Sequence, residues 1–179
     1  YWTACEKAQN TIPRAMHPFK PENIYGTDTK EIEIKEVTFT NGDGEQSDTF
    51  YTGESLKVTV KFCSKSQTEN PLFRLQIFSN TGILVYGSNT SRIKMDTGII
   101  TGDGVMTINY PYLNLLEGDY YFTIGIWPDE YRSTMTDIAY DCHQWRYIIR
   151  IKSHRENGAG IAYNNTEWKL ENNGRTVEY

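Results

Sequence analysis

The chain has 179 residues, a formal net charge of −5 and 38% hydrophobic residues, which are the values of an ordinary globular domain with its own core. The negative charge disfavours nucleic acid as a partner, because binding to phosphates requires a concentrated positive surface. No apolar stretch approaches the roughly 18 residues that a membrane-spanning helix needs.

The first part of the sequence differs from the rest. Residues 1–28 contain Pro13, Pro18 and Pro21, which interrupt any long element, and they show no clean periodicity. We therefore expect 1–28 to be a linker or an extension packed against a domain. The domain itself is predicted over residues 29–171, and a polar tail over 172–179.

Short alternating stretches of apolar and polar residues follow from residue 31 onward. Alternation with period two is typical of strands with one buried face. Turn sequences rich in Gly, Asn and Asp separate the stretches, as at 41–44 and 80–82. The predicted strands cover residues 31–39, 56–62, 73–77, 83–89, 106–110, 120–127, 145–151 and 161–168.

The strand predicted at 120–127 carries the strongest signal. It follows a turn at Gly118 and alternates over eight residues of mostly aromatic and β-branched type. One face is expected to lie in the core and the other to point outward. The inward set is Tyr120, Phe122, Ile124 and Ile126, and the outward set is Tyr121, Thr123, Gly125 and Trp127.

No segment shows a sustained helical period. Short strands at fairly regular spacing, joined by turns, predict an all-β, immunoglobulin-like antiparallel β-sandwich. In such a sandwich the third, sixth and seventh predicted strands usually neighbour one another in one sheet. In the seventh, Trp145, Tyr147, Ile149 and Ile151 are expected to face inward.

The sequence contains no motif that marks catalysis or a cofactor. It lacks a GxSxG elbow, an HExxH zinc motif and a phosphate-binding P-loop. His143 lies near Asp141 and Cys142 and could be a ligand or a base, but a simply hydrogen-bonded histidine is expected. The three cysteines, Cys5, Cys63 and Cys142, match no zinc spacing and are expected to be reduced thiols.

The residues favour ligand binding over catalysis as the function. The 13% aromatic content serves either a β-rich core or a surface of exposed rings. Aromatic rings suit the apolar faces of sugars, and planar polar side chains suit their hydroxyls. Tyr121 and Trp127 could instead pack under a loop or against the N-terminal segment. The predicted carbohydrate-binding residues are Arg74, Gln76, Tyr121, Thr123, Trp127, Asp129, Tyr131 and Arg146.

Four stretches, in this order, resemble a known family. They are 32–37 (IEIKEV), 50–56 (FYTGESL), 73–77 with 82–90 (FRLQI and GILVYGSNT), and 113–120 (LNLLEGDY). Together they look like the C-terminal domain of Wzt, the ATPase subunit of bacterial O-antigen ABC transporters. The resemblance covers roughly residues 24–170.

The resemblance implies a non-catalytic domain that binds finished O-antigen polysaccharide, often at its modified non-reducing end, and commits it to export. It implies a location in the cytoplasm, at the inner face of the inner membrane. It also implies as partners the ATPase domain of the same parent chain and the membrane subunit. The family further implies a homodimer that can exchange a C-terminal strand, here residues 161–170.

The residues leave two other functions open. One is a structural or protein-binding immunoglobulin-like module without affinity for glycans, which would expose an apolar patch. The other is an enzyme that acts on polysaccharide, which would need a pair of carboxylates in a cleft.

Overall fold

The computed structural model describes residues 28–129, 138–153, 159–163, 169–172 and 175–178. Within these ranges the chain forms ten strands and no helix. The strands are β1 (Ile32–Thr40), β2 (Thr49–Tyr51), β3 (Leu56–Glu69), β4 (Leu72–Ser79), β5 (Leu84–Asn89), β6 (Ile99–Tyr110), β7 (Gly118–Trp127), β8 (Asp141–Lys152), β9 (Lys169–Asn172) and β10 (Arg175–Glu178).

Two sheets form a β-sandwich. One has the order β1-β3-β6 and the other the order β2-β8-β7-β4-β5. Strands β4, β7 and β8 occupy the places of strands C, F and G of an immunoglobulin domain, and β1, β3 and β6 those of A, B and E. The predicted fold class is confirmed, and so is the expectation that the third, sixth and seventh predicted strands are neighbours.

The core lies between the sheets and consists of the inward side chains of both. The inward set predicted on β7 is buried, with Phe122 and Ile126 fully inaccessible to solvent. Phe39 of β1 packs edge-on against Phe122 at 5.3 Å between ring centroids, so the two sheets meet through aromatic contacts. The apolar–polar alternation along β1 and β7 therefore correctly predicts which of their side chains face the core.

One strand pairing departs from the predicted antiparallel arrangement. After β1, the side chain of Asn41 accepts hydrogen bonds from the backbone of Asp43 and Glu45 and closes the predicted turn. The chain then crosses to the other sheet, where β2 pairs with β8 in parallel and buries Phe50 completely. Because the chain changes sheets here, β2 need not run antiparallel to its new neighbour.

The C-terminal part differs from the predicted final strand and tail. Residues 161–163 form a single bridge, from Ala162 to Leu115, and residues 164–168 lie outside the described ranges. β9 and β10 pair as a two-stranded antiparallel sheet, so part of the predicted tail is a strand. The predicted linker 1–28 lies outside the described residues except for Asp28.

Across the described ranges, the structure contains no helix of the length and apolar character needed to cross a membrane.

Candidate functional site

The outward-pointing side chains of the five-stranded sheet form one surface, which we call the outer face. The strand register aligns them in rows across β4 and β7, with Gln76 opposite Thr123 and Arg74 opposite Gly125. A third row pairs Phe78 with Tyr121. Four predicted site residues, Arg74, Gln76, Tyr121 and Thr123, are therefore brought together as direct or diagonal neighbours.

A β-bulge in β8 moves Trp145 onto this outer face. Thr123 of β7 stands opposite three residues of β8, because Phe122 pairs with Tyr147 and Ile124 with His143. Trp145 adopts a φ of +46°, which a bulky residue rarely does. Its backbone N–H donates a hydrogen bond to the Thr123 hydroxyl at 2.9 Å.

The indole of Trp145 then packs edge-on against Phe78, with 5.4 Å between ring centroids. The sequence-based expectation that Trp145 faces the core is therefore wrong. The two extra residues of the bulge break the alternation on which that expectation relied.

Trp127 lies on the outer face but is fully buried. Its ring packs with Leu72, Ala139 and Cys142, and the Arg74 guanidinium lies over it at 5.6 Å from the ring centroid. The arrangement matches the alternative in which Trp127 packs under a loop. Solvent therefore reaches the Arg74 side of this pair and not the indole.

The remaining predicted site residues differ in accessibility. Gln76, Tyr121 and Thr123 are buried, Arg74 is half-buried, and Asp129 is exposed. Arg146 lies in the bulge of β8 and is exposed. Tyr131 lies outside the described residues. Sequence analysis missed Phe78, although its position two residues after Gln76 already places it on the outer face.

A cleft of about 370 Å³ lies beyond the outer face, where β4 begins and β7 ends. Its volume falls in the usual range of small-ligand sites. The loop after β5 forms much of its wall and is tied to the β3–β4 turn by Asn70, whose side chain accepts from the Gly98 N–H at 3.0 Å. The cleft is lined by Asn70, Leu72, Thr90, Ser91, Met95, Asp96, Thr97 and Asp129.

Six of the eight residues that line the cleft are polar, but apolar atoms contribute most of its surface. It offers the hydroxyls of Thr90, Ser91 and Thr97 beside carboxylates and one amide, and the apolar side chains of Leu72 and Met95 complete it. Such a mixture can hydrogen-bond several hydroxyl groups of a ligand and contact one apolar face. Of the predicted site residues that the structure describes, only Asp129 takes part in it.

Asp141 and His143 belong to a separate, buried polar cluster. The Asp141 carboxylate accepts hydrogen bonds from the backbone N–H of Ile34, at 2.8 Å, and from the Lys30 ammonium. The ammonium also pairs with Asp28 at 3.2 Å. Burial alone would lower the pKa of Lys30, but its bond to Asp141 raises that pKa above the ordinary value.

His143 is hydrogen-bonded rather than free. Its Nδ1 lies 2.5 Å from the Tyr147 hydroxyl, and its Nε2 lies 3.7 Å from the Asp141 carboxylate. Burial lowers the pKa of His143 to about 4, so the ring is neutral at physiological pH. The expected hydrogen-bonded role is the one that the structure shows, and the cluster clamps the start of β1 to β8.

The described residues give no support for metal or disulfide chemistry. Cys63 and Cys142 are free thiols, and burial raises the pKa of Cys142 well above its ordinary range. Cys5 lies outside the described ranges. No group of three or more His, Cys, Asp or Glu side chains in the described ranges is placed to hold a metal ion.

Comparison with solved structures identifies the fold. The structure is similar to the crystal structure of the C-terminal domain of Wzt, with a TM-score of 0.70, 15% sequence identity and coverage of 82% of this chain and 87% of that chain. More distant similarities include an immunoglobulin-like protein from Pseudomonas aeruginosa, at 10% identity, a TM-score of 0.37 and coverage of 70% of this chain and 100% of that chain.

A further distant similarity is to the CARDB domain of a Pyrococcus furiosus protein, at 15% identity, a TM-score of 0.33 and coverage of 66% of this chain and 94% of that chain. No curated protein sequence matches the chain. The sequence profile of the Wzt C-terminal domain family matches residues 23–163. The chain therefore belongs to the Wzt C-terminal domain family.

Proposed function

We propose that this domain binds O-antigen polysaccharide without catalysing a reaction, and that binding couples the polysaccharide to export by an ABC transporter. Membership of the Wzt C-terminal domain family supports the transporter context. We further propose that the parent chain carries the ATPase domain, and that the assembly works with a membrane subunit at the cytoplasmic face of the bacterial inner membrane.

One observation carries the carbohydrate proposal: the polar and aromatic rows of the outer face continue into a cleft where polar side chains accompany an apolar surface. Arg74 stands at the junction, because it lies over Trp127 while Leu72, the register partner of Trp127, lines the cleft. A polysaccharide needs an extended surface for its repeat units and a closed end for its terminus. We propose that the outer face serves the first need and the cleft the second.

The chemistry of the cleft suits a terminal sugar. Its hydroxyl, amide and carboxylate groups can pair with several sugar hydroxyls, since they include both donors and acceptors. Its apolar members, Leu72 and Met95, offer a contact for a C–H face or for a small apolar modification. We therefore propose that the modified non-reducing end enters here.

The first test is a calorimetric titration with the O-polysaccharide of the source strain and with a version that lacks the terminal modification. Binding of the modified polymer alone would support recognition of the finished end. Equal binding of both would support recognition of the repeat unit and would contradict the role of the cleft. A folded protein that binds neither polymer would overturn the carbohydrate proposal.

Matched variants then locate the site. Arg146→Ala removes an exposed cation from β8, and Lys57→Ala removes an exposed cation from β3 in the other sheet. Binding at the five-stranded sheet predicts that Arg146→Ala weakens binding and that Lys57→Ala leaves the affinity unchanged. Equal effects of the two changes would indicate a nonspecific charge effect instead.

A second candidate function, a protein-binding module, rests on a different observation. Several large apolar side chains are exposed near the free edges of the two sheets, where β5 and β6 lie: Ile83, Leu84, Tyr86, Ile99 and Val105. The rings of Tyr86 and Tyr110 meet at 6.0 Å and link these two edges. If the protein binds no glycan, and Val105→Lys lowers its mass in solution, this surface serves protein contacts.

We also propose a homodimer with exchange of a C-terminal element. In this structure residues 161–163 bond within their own chain, because the N–H of Leu116 donates to Ile161 and that of Tyr163 donates to Asn114. The exchanged element would therefore be β9 with β10. Removal of residues 169–179 keeps the inner contacts, and an unchanged dimer mass after this truncation would exclude the exchange.

A further inference from the structure

Gly87 occupies the interior of β5 without a structural reason to be glycine. Among the glycines in the described ranges, the others either adopt a positive φ or leave no room for a Cβ atom. A Cβ at Gly42, Gly104 or Gly125 would lie within 3.0 Å of a neighbouring side chain. At Gly87 the nearest atom would be the Gln76 Cγ at 3.4 Å, which is ordinary contact.

The absence of a side chain at this position therefore needs another explanation. Glycine in a strand interior costs about 0.5–1 kcal/mol relative to alanine, since it has more conformational freedom to lose on folding. A strand glycine often marks a bulge, a tight bend or a place where a ligand or another backbone approaches closely. The register shift in β5 falls at Val85, whereas Gly87 keeps its regular pairing with Gln76. Gly87 is half-buried and lies on the outer face, directly opposite Gln76.

The side chains around Gly87 have the chemistry of a sugar-binding floor. Phe78, which is half-buried, and Leu84, which is half exposed, form a register pair beside it. The amide nitrogen of Gln76 lies 3.9 Å from the position that a Cβ of residue 87 would take. Arg74 and Asn89 form the register pair on the other side. The apolar pair Phe78 and Leu84 therefore lies on one side of Gly87 and the polar pair Arg74 and Asn89 on the other.

We infer that the outer face above Gly87 is a subsite for one pyranose ring, which lies flat on the strand with its apolar C–H face toward Phe78 and Leu84. Its hydroxyls point toward the amide of Gln76 and the guanidinium of Arg74. The inference rests on the proposed function and adds the subsite and the ligand class to it. Phe78 packs edge-on against Trp145 on the same face of the sheet, so the bulge in β8 helps to hold Phe78 in place.

The test is a series of substitutions at residue 87, since each added side chain fills the subsite on the outer face without disturbing the core. Gly87→Ala and Gly87→Val are compared with the wild type by titration with the O-polysaccharide and by urea unfolding. Thr107→Val is the matched control, because Thr107 is exposed on β6 at an edge of the other sheet. We expect Gly87→Val to weaken binding by about tenfold or more while its unfolding midpoint is unchanged or raised.

The outcomes separate the inference from the proposed function. If the wild type binds the polysaccharide and the affinity of Gly87→Val is within about twofold of it, the subsite is overturned and the carbohydrate proposal still stands. Marked destabilisation by Gly87→Ala would show that the fold itself requires this glycine and would also overturn the subsite. A wild-type protein that binds no polysaccharide would overturn both. Weakened binding by Gly87→Val, with no effect of Thr107→Val, would support the subsite.

Discussion

The indole ring of Trp127 lies directly against Gly125, so that a Cβ on residue 125 would come within 2.5 Å of two ring carbons. The opposite side of the sheet is core, and the segment around Ala139 packs on the indole as well. The same segment binds the entry to β1, because the N–H of Thr29 donates to the Ala139 carbonyl at 3.0 Å. Trp127 is therefore an anchor between the outer face and the N-terminal entry of the domain.

Gly125→Ala is expected to destabilise the fold by about 1–3 kcal/mol, the usual cost of overpacking a filled site. The clash involves a large, fully buried ring, which cannot move without losing its contacts. Urea unfolding measures the change. Gly87→Ala is the control, since its added methyl group meets ordinary contacts, and equal losses in the two variants would contradict this account.

Thr123→Val is expected to lower the free energy of unfolding by about 1–3 kcal/mol, because it leaves the buried backbone N–H of Trp145 without its acceptor. Thr123→Ser keeps the hydroxyl and should cost less, although it loses a methyl group. Chemical denaturation of the three proteins gives the order wild type, Ser, Val. If the valine variant is as stable as the serine variant, the hydroxyl does not hold the bulge.

Asp141→Ala is expected to lower the free energy of unfolding by about 1–3 kcal/mol, the usual cost of leaving a buried hydrogen-bond donor without its acceptor. The carboxylate is almost fully buried, and its loss leaves the Ile34 N–H without its acceptor and the Lys30 ammonium with Asp28 as its remaining partner. The control is Glu33→Ala, which breaks an exposed pair with Lys35 and should cost much less. Similar losses in both variants, by urea unfolding, would contradict the proposed clamp.

The neutral, buried His143 is expected to make stability depend on pH. Its pKa of about 4 in the folded protein lies below the ordinary 6.5, so the unfolded chain takes up the proton first as the pH falls. The contribution to stability is therefore complete above about pH 6.5 and is lost progressively down to about pH 4.

His143→Gln should remove this part of the pH dependence, because glutamine does not titrate. Unfolding free energies of both proteins, measured from neutral pH down to about pH 4.5, provide the comparison. Burial raises the pKa of Asp28, so this carboxyl group favours the folded state as the pH falls, which is opposite to the effect of His143. Because Asp28 is present in both proteins, its contribution cancels when their unfolding free energies are subtracted. Equal slopes for the two proteins would show that His143 is not buried in its neutral form.

The sequence by itself determined seven of the strands, β1 and β3 to β8, and the fold class. Period-two alternation gives each strand a buried face, and two such faces can only be satisfied against each other. For that reason the inward residues of β7, such as Phe122 and Ile126, are buried as predicted. The same alternation placed Arg74, Gln76, Tyr121 and Thr123 on one face, and the strand order then made them neighbours.

Only the tertiary structure decided which of the outward residues remain accessible. Alternation states the side on which a side chain lies and not what covers that side, so the burial of Trp127 under residues near Ala139 had no local signal. The bulge at Trp145 depends on its pairing with β7, and the two extra residues of β8 at this point allow Trp145 to turn to the other face. The cleft joins Asn70, the loop after β5 and Asp129, which are distant in sequence, and only packing brings such segments together.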